Sequence, residues 1–116
     1  MRRVVITGIG IVSSIGNDAS EVEASLRSGK SGIVFAPEYA EHGFRSQVHG
    51  MPQIDLTAHI DKRDLRFMGP GAAYNFIAME QAIADSGLEA SDVSNERTGL
   101  VMGSGGPSTS NFFLAH

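Results

Sequence analysis

The 116-residue chain contains no cysteine and no tryptophan, and 19% of its residues are charged. Without cysteine, these residues hold no disulfide framework, thiolate metal site or thiol nucleophile. The charged share lies below the roughly 25% of ordinary soluble domains, which, with the many glycines, suggests that much of this chain is covered by something else. No apolar run reaches the roughly 18 residues of a membrane span. A strand pattern with glycines follows Arg2 and Arg3 directly, without the ordered regions of a secretory signal. A cytoplasmic protein that does not enter the membrane is expected. The net charge of −4 gives no electrostatic reason to bind nucleic acid. His42, His49, His59 and His116 show no metal-ligand spacing, so no metal site is expected. No cofactor is expected either.

Glycine is plentiful, at 14 residues. Three of them punctuate the most informative stretch, Arg2 to Asn17. Val4, Val5 and Ile6 form a continuous β-branched run, which suits a strand covered on both faces. Gly8, Gly10 and Gly16 follow where a side chain would crowd a tight turn. A dinucleotide fingerprint does not fit well: its third glycine falls at Ser13, and no acidic residue ends the next apolar run at Phe35. Gly29-Lys30-Ser31 likewise imitates a phosphate loop but follows a helix instead of a strand, and reads as a helix stop.

Asn17 or Asp18 can cap a helix, Asp18 with Glu21 approximates a capping box, and Gly29 ends that helix. Ile33-Val34-Phe35 is a short apolar run, Pro37 opens a loop, and residues 45–49 read as a short exposed strand. Residues 60–68 read as a short basic helix, broken by Gly69-Pro70-Gly71. The best helix is expected over 72–86, largely buried, with Gly87 as its stop. Residues 98–102 read as a second core strand, in one sheet with residues 4–7 and with the long helix packed near them. The order strand, helix, helix, strand predicts an α/β fold with a parallel sheet.

Two clusters carry functional readings beside plain ones. Lys62, Arg63 and Arg66, at i, i+1 and i+4, can share one side of a helix, as a solvated face or as a dock for an acidic partner. Asp61 and Asp64 read as first-turn charges. Gly103-Ser104-Gly105-Gly106 after a strand permits close approach by a ligand, a tight turn, or both.

The stretch from Val4 to Gly16 resembles the amino-terminal signature of the β-ketoacyl-[acyl-carrier-protein] synthases. Ser31-Gly32-Ile33, Phe44-Arg45-Ser46, Ile60-Asp61-Lys62-Arg63, Arg66-Phe67-Met68, the run from Met79 to Leu88 and Gly103-Ser104-Gly105-Gly106 extend that resemblance in order along the chain. Arg66-Phe67-Met68 and the small Gly106 resemble the type I enzymes, whereas Pro107 departs from the family's usual glycine. The resemblance implies a thiolase-like layered α/β fold, with a core parallel or mixed sheet, of which residues 1–116 would be an incomplete amino-terminal segment. It implies decarboxylating condensation of an acyl group with malonyl-[acyl-carrier protein], as in fatty acid elongation, by a homodimeric enzyme. A noncatalytic partner subunit of the same kind is the alternative, with a nucleotide-binding oxidoreductase behind it. The resemblance implies that Gly105 and Gly106 lie beside the acyl pocket and that Lys62, Arg63 and Arg66 dock acyl carrier protein. The family's Cys-His-His set lies downstream of the matched region. No catalytic residue is therefore assigned here, and the 116 residues alone are expected to be inactive and poorly stable.

Overall fold

The computed structural model describes residues 3–106 and 108–114. Pro107 and His116, both singled out above, lie outside the described residues. The chain divides into two compact units, one from Ile11–Ile54 and the other from the described parts of Met1–Gly10 and Asp55–His116.

In the first unit, α1 (Ala19–Ser28) is bounded by its own side chains. Asp18 Oδ1 accepts from the Glu21 amide at 2.8 Å, and Glu21 Oε2 reaches back to the Asn17 amide at 2.8 Å. This is a capping box displaced by one residue at its return arm. At the other end Gly29 takes the left-handed conformation, φ 67°. Its amide donates to Leu26 O, and the Lys30 amide to Ser25 O, which is the paired closure of a Schellman stop. Ser25, the one buried polar residue among the described residues, donates to Ile15 O at 2.6 Å.

β1 (Ile33–Phe35) and β2 (Val48–Gly50) pair antiparallel, with Val34 opposite His49. Pro37 starts a helical turn, α2 (Pro37–Glu41), where a loop is expected from sequence. Proline at the first helical position sacrifices no hydrogen bond. Tyr39 of this turn packs against the Phe44 and His49 rings, each with its centroid 5.4 Å away.

The second unit is organised by α4 (Pro70–Ser86). Gly69 is its N-cap and Pro70 its first residue, so Gly69-Pro70-Gly71 starts the helix instead of interrupting one. It is also less buried than its apolar pattern predicts. Ala73 and Ile77 are enclosed, at 0% and 2% exposure, but Phe76 and Met79 reach solvent. A 3₁₀ turn (Leu56–Ala58), α3 (Lys62–Leu65), α5 (Ala90–Val93) and α6 (Thr109–Leu114) complete the unit. The basic stretch 60–68 is thus one helical turn, not a helix of two or more.

Residues 4–7 and 98–102 fall in this unit, but neither is a strand there, which corrects the sequence expectation. The one sheet among the described residues is the antiparallel β1–β2 pair. A strand is completed by a partner's ladder bonds as much as by its own propensity. Val4 and Val101 stand 94% and 95% exposed.

The chain meets the long helix just after residues 4–7, at Gly8, Ile9 and Gly10. A Cβ on Gly8 would strike the Ala82 carbonyl, and one on Gly10 the Ala78 carbonyl. Alternate residues of an extended chain repeat about every 6.8 Å on one side, and a helix rises about 6 Å in four residues. Gly8 and Gly10 therefore seat on the ridge of Ala78, Ala82 and Ser86 with their spacings nearly matched. The Ile9 amide, between them, donates to Asp85 Oδ2 at 2.9 Å.

Candidate functional site

The start of α4 faces the glycine-rich loop. Between Pro70, Ala72 and Asn75 on one side and Met102, Ser104 and Gly106 on the other lies a cleft of about 700 Å³. That size falls within the roughly 300–1,000 Å³ of small-molecule sites. Ser104 folds the loop locally: its hydroxyl donates to Gly106 O at 2.7 Å and receives the Gly106 amide at 3.4 Å. Nothing lies within 4 Å of where a Cβ would stand on Gly105 or Gly106. Gly106 lines the cleft, whereas Gly105 is its exposed neighbour and does not. The Asn75 side-chain amide donates to Gly71 O at 3.0 Å, within its own helix. Among the described residues that line it, none is titratable in the ordinary pH range; what they supply is shape and a largely apolar surface.

The basic cluster sits elsewhere in the same unit. Asp61 caps α3 by accepting from the Arg63 amide at 2.7 Å, which fixes the turn that presents Lys62, Arg63 and Arg66. All three side chains are exposed, and none forms an ion pair among the described residues. The Arg66 guanidinium stands 5.6 Å from the centroid of the Phe67 ring, itself 85% exposed. Asp61 and Asp64 share the turn and moderate its positive field. The structure thus presents the three cations together on a single exposed turn. Just upstream, the Thr57 hydroxyl and amide, at 2.7 and 2.9 Å, hold the Asp55 carboxyl below its ordinary value of 3.8.

Two features went unread in the sequence. One is the contact of Gly69 with Ser108, at the edge of the cleft, where a Cβ on Gly69 would lie 2.9 Å from Ser108 Cβ. No sequence signal marks that pairing across 39 positions. The other is the Asp85 carboxylate that receives the Ile9 amide; an acidic residue in the last turn, unfavourable for the helix dipole, was its only sign.

The unit thus carries two separate features, a cleft between the start of α4 and the glycine-rich loop and an exposed basic turn at α3. Residues 1–115 match the family described as β-ketoacyl synthase, N-terminal domain. The chain is 52% identical over 115 residues to 3-oxoacyl-[acyl-carrier-protein] synthase 1 of Haemophilus influenzae, covering 99% of this chain and 28% of that protein. It is 53% identical over 109 residues to the synthase 1 of Escherichia coli K12, covering 93% of this chain and 27% of that protein. Identity to 3-oxoacyl-[acyl-carrier-protein] synthase 2 of Vibrio harveyi is 36% over 105 residues, covering 90% of this chain and 25% of that protein. The chain belongs to the β-ketoacyl synthase family, and it spans little more than a quarter of the length of the curated relatives it matches.

Proposed function

We propose that the protein carrying these residues is a type I condensing enzyme of fatty acid elongation, acting on carrier-protein substrates. The observation that carries this reading is the identity above 50% to two proteins named 3-oxoacyl-[acyl-carrier-protein] synthase 1, maintained over more than nine-tenths of this chain. The lower identity to the type 2 protein supports type I within the family.

In this reading an acyl group passes from a carrier thioester to a cysteine thiolate. Malonyl-[acyl-carrier protein] then loses carbon dioxide, and the carbanion left behind attacks the enzyme thioester and expels the thiolate. The 116 residues hold no cysteine, so they supply neither the nucleophile nor, alone, the activity. Their part is recognition. Gly106, with Gly105 beside it, leaves room at the cleft for an acyl chain. Lys62, Arg63 and Arg66 attract the acidic carrier protein. These residues contribute to a thiolase-like layered domain of a cytoplasmic homodimer.

The test is condensation of acyl- and malonyl-carrier-protein substrates by the full-length protein and by its Arg63→Glu, Arg66→Glu variant. Rim charges of this kind act mainly on encounter and are screened by salt. The variant should raise KM for carrier-protein substrates about tenfold at low salt, and change turnover of small thioesters little. Absence of condensation by the full-length protein would overturn the proposed activity. Equal losses on both substrate types would overturn the docking role.

A further inference from the structure

Gly69 and Ser108 meet at the edge of the cleft, each as a helix cap. Gly69 is the N-cap of α4. The Ser108 carbonyl receives the Phe112 amide at 3.0 Å, and the Ser108 hydroxyl receives the Asn111 amide at 3.4 Å, so Ser108 caps α6. A Cβ built on Gly69 would lie 2.9 Å from Ser108 Cβ, 3.1 Å from Ser108 Oγ and 3.4 Å from Asn111 Nδ2. The nearest of these belongs to the root of a side chain, which moves only with its backbone. The backbone at Gly69, φ −74° and ψ 161°, is ordinary extended geometry that alanine adopts freely. Glycine is therefore required here for the contact and not for the conformation.

We infer that Gly69 is a positioning residue that sets the width of the cleft, by letting the start of α6 rest directly on the start of α4. The inference rests on the reading of this cleft as an acyl site. Met102, Gly103, Ser104 and Gly106 form the opposite wall, and Ser108, two positions on, also lines the cleft. Pushing Ser108 off Gly69 carries the loop with it. Gly69 needs no contact with the acyl chain to act in this way. A wall displaced by a few tenths of an ångström is felt most by the chain that reaches farthest along it.

The experiment compares Gly69→Ala, Gly106→Ile and Gly99→Ala in the full-length protein, by rates of enzyme acylation across a series of primer lengths. Gly99 lies in open space and does not line the cleft, so it reports the generic cost of adding a methyl. Gly69→Ala should alter acylation by long primers about tenfold more than by short ones, equal to about 1.4 kcal/mol. Adding Ser108→Gly removes the atom that the new methyl strikes and should return the parental length profile. That double variant carries the test if Gly69→Ala alone does not fold. A length-selective Gly106→Ile beside a Gly69→Ala profile that matches Gly99→Ala would overturn the positioning role and leave the acyl site standing. Uniform effects from both Gly106→Ile and Gly69→Ala would overturn the acyl site and this inference with it. A double variant that keeps an altered profile would show that the contact with Ser108 is not the cause.

Discussion

The β1–β2 hairpin and the two apolar segments at 4–7 and 98–102 are built from similar residues and end differently. Ile33-Val34-Phe35 finds Val48-His49-Gly50 only 15 positions away in a matched register. Val4-Val5-Ile6 has comparable β propensity, yet its side chains stand in solvent and no ladder bond reaches it among the described residues. Propensity and apolar pattern say that a segment can be a strand, and a partner within reach decides whether it is one. What holds the amino-terminal segment is a different contact, glycine against a helix ridge, reinforced by one carboxylate.

That contrast gives the largest expected effect. Gly10→Val should detach the amino-terminal segment, because the new side chain meets the Ala78 backbone, which cannot yield without the helix. Overpacking typically costs about 1–3 kcal/mol. At the upper end, hydrogen-exchange protection of the Ile9 amide in the full-length protein should fall about a hundredfold. Unchanged protection would mean that the segment is held by something other than this seat.

An intermediate effect tests the locally closed unit. Asp18→Ala should cost about 1 kcal/mol by stripping the cap from α1. Exchange should rise at the Glu21 amide and its neighbours, while the Ile9 amide stays as it was. A response at both places would erase the distinction between locally and distantly held segments.

The smallest effect belongs to Asp55. Its folded pKa lies below the ordinary value, chiefly because the Thr57 hydroxyl and amide favour the carboxylate. A lowered folded pKa contributes stability above the unfolded value, and that contribution is lost as pH falls through the folded one. A proton titration followed at Asp55 should therefore have its midpoint below 3.8, and Thr57→Ala should move it upward. A midpoint at or above 3.8 would contradict the hydrogen-bonded turn.

These contrasts also explain what the sequence made legible. The α1 caps, the Gly29 stop and the long α4 could be read because each signal and its consequence lie within one turn. The partner of Asp85, 76 residues away at Ile9, could not be read that way. Residues 98–102 misled because an apolar run bounded by glycine carries no address for its neighbour. The site divides along the same line. Gly106 and the three cations stand in exposed local motifs, and the family resemblance gave them roles. The first turn of α4, which forms the facing wall of the cleft, reads in sequence only as the break Gly69-Pro70-Gly71.

The most direct measurement of the central claim, that this cleft receives the acyl chain, is acylation of the full-length protein carrying Gly106→Ile across primer lengths. Filling the space beside the loop corresponds to roughly one to two powers of ten in affinity for chains that need it. Long primers should lose most and short primers little. A uniform loss at every length, with the fold intact, would contradict that claim.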